Sequence, residues 1–175
     1  LSIAEPPGQA GTTVRQQPSD PQAVDQQWLI ESTKQPGVYR LRNRSSNLVA
    51  TLRARDRGER FLLGPDDQQG DEVLFTFEDH GPGTMRIISR ASGLSLSICG
   101  GETAAGQLVI QWTCAEKNTD HFWKLEPVPS PAQPYVDQGW VRFRNLKSGH
   151  ALSIDKPPGK QGTTLRQQPN APKAP

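Results

Sequence analysis

Three arginines alternate along VYRLRNR, at Arg40, Arg42 and Arg44, and three more along TLRARDR, at Arg53, Arg55 and Arg57. Alternation at period two places each trio on one face of a strand, and guanidinium groups pair well with planar anions. The chemistry this offers is capture of sulfated or acidic glycans, or of an acidic protein surface. The plainer reading is a solvent-facing stripe that blunts strand pairing, and Asp56, Glu59, Asp66 and Asp67 would dilute any patch. Covalent and metal chemistry find little footing. His80, His121 and His150 share no ligand spacing with a cysteine or carboxylate cluster. Neither a Gly-x-Ser-x-Gly elbow nor a phosphate-binding glycine loop is present. No catalytic residue, metal ligand or cofactor is assigned, and the chain is expected not to be an enzyme. Cys99 and Cys114 fall on adjacent strands of one hairpin, LSLSIC and QLVIQWTC. Their offset along it leaves a disulfide and two free thiols equally open, because bridged Cα atoms must lie within roughly 7 Å.

The elements that must position these residues are short strands. Only 33% of the residues are apolar and Gly and Pro number 16 each, yet the polar residues punctuate brief apolar runs such as VIQW, MRII, FWKL and WVRF. That pattern reads as strands joined by turns, and no stretch keeps apolar residues at helical spacing without a Gly, Pro or Ser cluster interrupting it. The chain is expected to be all-β. No apolar stretch approaches the length of a membrane span, and a net charge of +2 is too small to imply a polyanion. Neither nucleic-acid binding nor membrane insertion is expected. The sequence begins at Leu1 without a Met, in the middle of a repeat, which suggests a processed product or a fragment.

Repetition organises the chain. LSIAEPPGQAGTTVRQQP (1–18) returns as LSIDKPPGKQGTTLRQQP (152–169), with 13 of 18 positions identical at a spacing of 151 residues. A shorter period lies inside it. DQQWLIE, LFTFED and DHFWKLE place Trp28, Phe77 and Trp123 at steps of 49 and 46 residues. VYRLRNRSSNLVATL, MRIISRASGLSLSI and VRFRNLKSGHALSI align on a strand, a polar turn and a second strand, with Ser46, Ser92 and Ser148 in register and Asn43 matching Asn145. Threefold repetition followed by a restart is inferred.

A unit that runs strand, Ser-Gly turn, Leu-x-Ile strand, Gly-rich loop, Val-x-Gln-Trp strand and Gln-x-Trp-like ending resembles the ricin B-chain type of β-trefoil lectin. Residues 85–126 carry the best match, with SGLSLSI, Gly106, LVIQWTC and NTDHFWKLE in family order. Residues 1–31 match the later part of a unit and keep Gln26-x-Trp28, whereas 38–79 have Phe75 and Phe77 in place of Gln and Trp. The resemblance implies a three-lobed β-trefoil, closed here by N- and C-terminal partial repeats. The candidate core of the third unit is Ile87, Leu96, Ile98, Val109, Phe122 or Trp123, and Leu125.

The resemblance also implies a shallow sugar site per lobe: an Asp on the second strand, an aromatic on the next, and an Asn before the Gln of Gln-x-Trp. Sugar C–H faces pack on aromatic surfaces while hydroxyls need a few placed polar partners. The third unit is the best candidate, with Trp112 as the platform, Ser97 where the Asp is expected, and Asp120 with His121 in place of Asn and Gln, with Asn118 and Gln111 nearby, whereas the first, without an aromatic platform, is expected to be weak. Trp112 also reads as an aromatic that merely covers its hairpin. The first unit offers Asp25 and Gln26, but has Gln17 at the aromatic position and Ser2 at the Asp position. The second unit, with neither group, is expected not to bind. The final unit has Ser153 with Asp155 one pleat further on, and Gln168 at the aromatic position.

The expected organisation is trefoil lobes over 1–128 (a partial first lobe, a second over 32–79 and a third over 80–128). A Pro-rich linker, PSPAQP, follows at 129–134, and 135–175 is a partial repeat that completes the trefoil or starts another. The implied function is non-catalytic, lectin-like binding of glycans or glycoproteins, in a secreted or extracellular setting. A protein-interaction trefoil, such as a protease inhibitor or toxin-targeting subunit, is the alternative. Redundant end copies also allow a homodimer formed by segment exchange.

Overall fold

The computed structural model describes residues 9–115, 117–128 and 139–154. Twelve strands and four short 3-10 turns make up its regular structure. Six strands form the barrel: β2 (Trp28–Ser32), β3 (Tyr39–Asn43), β6 (Phe75–Asp79), β7 (Thr84–Ser89), β10 (Trp123–Pro127) and β11 (Trp140–Asn145). They pair antiparallel in the cycle β2-β3-β6-β7-β10-β11-β2. The remaining strands form three hairpins: β4 (Val49–Thr51) with β5 (Leu62–Gly64), β8 (Ser95–Ile98) with β9 (Val109–Trp112), and β12 (Ala151–Ile154) with β1 (Val14–Gln17). Single bridges Thr13↔Leu62, Arg15↔Leu108 and Arg60↔Ile110 tie the hairpins into a triangular cap. The second lobe is β3–β6 and the third β7–β10, while the first combines β11 and β12 with β1 and β2 from opposite ends of the sequence.

Alternation explains the barrel strands. Along β11, Val141, Phe143 and Asn145 point inward and are buried, while Arg142 and Arg144 point out. Inside, Trp28, Phe75 and Trp123 are each 0% exposed and occupy equivalent places, opposite Asn43, Ser89 and Asn145 across their ladders. The second-lobe counterpart of the tryptophans is therefore Phe75 and not Phe77. Phe77 lies two residues further along β6, half-buried between the rings of Tyr39 and Phe143. The tryptophans also satisfy cap carbonyls: Trp28 Nε1 donates to Leu152 O at 3.0 Å and Trp123 Nε1 to Leu96 O at 3.3 Å. All the expected third-unit aliphatics line the core or pack against it, and of the aromatic pair Trp123 belongs to it.

The polar turns repeat as faithfully. Each first hairpin strand is entered through a residue at positive φ, Asn47 (59°), Gly93 (70°) and Gly149 (71°), a conformation open to Gly and tolerated by Asn. This is the physical content of the Ser-Gly motif. Asn43 and Asn145 organise these turns, their Oδ1 atoms accepting Ser45 and Ser46 N–H, and Lys147 and Ser148 N–H.

Several expectations need correction. Arg53, Arg55 and Arg57 lie in the irregular segment between β4 and β5, so no strand face gathers them. Arg40 and Arg42 do share an outer face, but Arg42 is held by Glu31 at 2.5 Å and by Asp66, and Arg142 and Arg144 share Glu126 at 3.1 and 2.6 Å. Both cysteines are free. The β8–β9 ladder sets Ile98 against Val109 and Ser95 against Trp112, so Cys99 and Cys114 sit beyond opposite ends of the hairpin. The 129–134 segment, Ser2, Asp155 and Gln168 lie outside the described residues.

Trp28→Phe keeps most of the buried volume but strands the Leu152 carbonyl, so it is expected to lower stability by about 1–3 kcal/mol. Trp28→Ala, which also opens a cavity, should cost roughly 3–5 kcal/mol. Urea denaturation at neutral pH measures both.

Candidate functional site

Two lobes carry the same polar pair. In the first, Ser153 of β12 donates its hydroxyl to Asp25 Oδ2 at 2.6 Å; in the third, Ser97 of β8 donates to Asp120 Oδ2 at 2.7 Å. Each aspartate is the middle residue of a 3-10 turn, Val24–Gln26 or Thr119–His121, that leads into a core tryptophan strand. The turn-organising asparagines fix these segments from below. Asn43 Nδ2 donates to Asp25 O at 2.9 Å and Asn145 Nδ2 to Asp120 O at 2.8 Å. In the second lobe Thr51 takes the serine's place but accepts from Gln68 Nε2 at 2.8 Å, and Glu72 in the turn pairs instead with Arg55 at 3.4 Å.

The two pairs differ in access. Asp25 opens onto a pocket of about 380 Å³ in the first lobe, shared with Gln17, Pro18, Asp20, Ala23 and Ser153. Asp120 is 6% exposed, and Gly101 lies against it, where an added Cβ would stand 3.7 Å from Asp120 Oδ1 and 2.9 Å from Lys147 Nζ. A lysine from a turn of the first lobe and the carboxylate of the third thus both flank Gly101. Nothing in the sequence pointed to Lys147, because the two are brought together only by closure of the barrel. Asp20 was also missed; it lies in a turn whose course the fold alone reveals.

The glutamine positions are structural. Gln26 is 4% exposed and clips its own loop, donating to Pro18 O at 2.8 Å and accepting from Asp20 N–H at 2.9 Å. Gln111 is fully buried, donating to Ala54 O and Asp56 O and accepting from Ser92. Gln16 repeats this set with Glu102 O, Ala104 O and Ser148. Gln111 therefore joins its hairpin to the next lobe and has no free edge for a ligand, which corrects its inclusion among the sugar contacts. Asn118 is exposed just before the third-lobe turn and makes no side-chain cap to it. Trp112, 43% exposed at the end of β9, stands opposite Ser95, and its indole reaches the turn at Gly58 of the second lobe.

His121 replaces Gln26 without replacing its hydrogen bonds. Its ring is buried, neither nitrogen has a hydrogen-bond partner, and Asp120 Oδ2 is 3.7 Å from Nε2. Burial pushes its pKa below the ordinary 6.5, opposed by Asp120 and reinforced by Arg86. A wider pocket of about 780 Å³ in the second lobe includes Glu31, Arg40, Arg42, Asp66 and Gln68. The hydrogen bond from Arg42 holds the Asp66 carboxyl below its ordinary range, and these pairs already neutralise the guanidinium an anion would need. Among the described residues no group of His, Cys, Asp and Glu is arranged to hold a metal.

A family model described as ricin-type beta-trefoil lectin domain-like matches residues 71–168. The chain belongs to that family. Its fold is similar to the designed threefold-symmetric protein ThreeFoil, at 24% identity and a TM-score of 0.61, covering 66% of this chain and 81% of that one. It also resembles part of an exo-beta-1,3-galactanase from Clostridium thermocellum, at 22% identity and a TM-score of 0.54, over 58% of this chain and 22% of the galactanase. No curated protein matches the sequence. The repeated Ser–Asp pairs each join a hairpin strand to the 3-10 turn before a core tryptophan.

Because the unfolded chain takes up a proton near pH 6.5 more readily than buried His121 does, stability should fall as pH drops below that value. His121→Gln, which installs the first-lobe residue, is expected to flatten the fall between pH 7.5 and 5.5. Urea midpoints across that range read the difference.

Proposed function

We propose that this trefoil is a non-catalytic carbohydrate-binding module whose principal site is the first-lobe pocket. The observation that carries the reading is the Ser153–Asp25 pair at the base of an open, pre-formed pocket. An ionised carboxylate that accepts one hydroxyl from the protein retains lone pairs for ligand hydroxyls. Ser153 on the strand orients Asp25 on the turn through its hydroxyl. Pro18, Ala23 and Ile154 supply apolar surface beside these acceptors. Gln17 stands where the third lobe has Trp112, so this pocket relies on hydrogen bonding more than on stacking.

The third lobe is the second site in this proposal. Its exposed Trp112 offers a ring face, whereas buried Asp120 with Lys147 close by offers little acceptor capacity. Two weak, unlike sites on one rigid body favour multivalent display, where affinity arises from simultaneous engagement. Such ligands are displayed outside cells, and an extracellular setting belongs to the same proposal.

A glycan array on the intact chain tests it. The wild type is expected to retain a defined set of glycans, and Asp25→Ala to weaken retention at least tenfold, about the effect of losing a charge-assisted hydrogen bond. Trp112→Ala should reduce binding to densely printed glycans more than to sparse ones. An array blank for the wild type would sink the reading and favour a protein-binding trefoil.

A further inference from the structure

The strand β1 sits in a groove bounded by β12, β5 and β9. Val14–Gln17 pairs with Ala151–Ile154, with Val14 against Ile154 and Gln17 against Ala151. Backbone bonds hold the segment on the other sides: Gly11 N–H to Leu63 O (2.7 Å), Val14 N–H to Phe61 O (2.8 Å) and Gln16 N–H to Gln107 O (2.9 Å). Side chains add three anchors. Val14 is 1% exposed in the core, Arg15 donates to Gly106 O at 2.7 Å, and Gln16 is fully buried with its amide bound to Glu102 O, Ala104 O and Ser148. Gly11, at φ +89°, makes the bend that admits the segment.

Every residue that makes these contacts recurs later in the chain. Gly11, Thr12, Thr13, Val14, Arg15, Gln16, Gln17 and Pro18 correspond to Gly162, Thr163, Thr164, Leu165, Arg166, Gln167, Gln168 and Pro169, with Val14→Leu the sole difference. Spacing agrees as well. In the third lobe ten residues (99–108) separate Ile98 from its partner Val109, and ten residues (155–164) separate Ile154 from Leu165. A stretch of the same length as the third-lobe connection thus separates β12 from residues 165–168 in the sequence.

We propose that this groove is a strand-accepting site with two occupants, and that residues 162–169 of the same chain are the second, in the register Ile154↔Leu165. A local hairpin closes a far shorter loop than the pairing of β12 with β1 does, and tethering raises the effective concentration of the second copy above that of a neighbouring molecule. The two occupants carry different continuations. Asp20, which lines the first-lobe pocket, corresponds to Ala171, so exchange of the strand alters that pocket.

The full chain tests this through non-additivity. Val14→Asp buries a charge in one occupant and Leu165→Asp does so in the other. Each single variant is expected to unfold cooperatively, with the Leu165 change nearly silent. The double variant should lose at least a hundredfold more in folding equilibrium constant than the product of the single effects. A milder set, Gln16→Ala with Gln167→Ala, should show the same sign at smaller size. If Val14→Asp is as unstable as the double variant, or the glutamine pair is additive, the second occupant does not exist. A Val14→Asp dimer that grows with concentration in sedimentation would place the replacement strand in a neighbouring copy and overturn the same-chain assignment.

Discussion

Six strands make a barrel only when the last pairs with the first, and here Trp140 and Val141 of β11 meet Leu29 and Trp28 of β2, far apart in the sequence. The same seam is stitched in the cap, where the Trp28 indole donates to the Leu152 carbonyl and Ser153 donates to Asp25. The first of these bonds is buried and the second partly so, and they join residues 124 and 128 positions apart. Without that seam β2 would present an unpaired edge, and half of each end repeat would lose the partner that covers its apolar face. The first-lobe pocket is a by-product of the closure, since Ser153 and Ile154 come from one end and Gln17 to Gln26 from the other.

Around the barrel the same solutions recur with local substitutions. A buried aromatic, a turn residue at positive φ, and a glutamine clip between hairpin and neighbouring loop appear in two or three lobes each. The second lobe departs furthest. Phe75 replaces a tryptophan, Leu63 stands where the clip glutamines are, and Gly64 opposes Val49 where Trp112 opposes Ser95. Leu63 carries no polar group that needs a partner, and Ser46, in register with Ser92 and Ser148, donates its hydroxyl to Asn43 Oδ1 at 3.3 Å instead. Its surface is ordered by ion pairs instead, with Glu31 and Asp66 around Arg42.

Much of this was legible in the residues. Period-two alternation in VYRLRN and VRFRN, Gly and Asn at the turns, and the threefold echo of a Trp or Phe ending specify strands, their facing and their grouping. Local sequence could not specify register. Phe75 and Phe77 both lie on the inward side of β6, and only the ladder, which sets Phe75 opposite Ser89, shows which of them matches Trp28 and Trp123. Arg53, Arg55 and Arg57 alternate as strand residues do, yet they fall in the connection between β4 and β5, where alternation has no face to define. For the site, the polar residue types were visible but their accessibility was not. Gln111 and Asp120 have the chemistry of ligand contacts and are buried, whereas Asp20 and Lys147 gain a place near the sites from chain segments distant in sequence.

The contrast between Asp25 and Asp120 shows how a repeat diverges without losing its scaffold. Both aspartates accept a serine hydroxyl at nearly the same distance, and both have their backbone held by a turn asparagine, so the frame around them is conserved. What changes is the residue that follows. Gln26 spends its amide on the 18–20 loop and holds it outward as the wall of a pocket. His121 makes no such bond, and the third-lobe aspartate lies buried with Gly101 packed against it and Lys147 close by. A carboxylate removed from water gives up hydration it must recover from neighbours, and here Ser97 donates a hydrogen bond to it and the His121 ring stands 3.7 Å away. The third lobe therefore has both members of its polar pair buried and Trp112 as its exposed feature, while in the first lobe Ser153 is buried and Asp25 alone opens onto the pocket. One scaffold position is thus buried in one lobe and open to a pocket in the other.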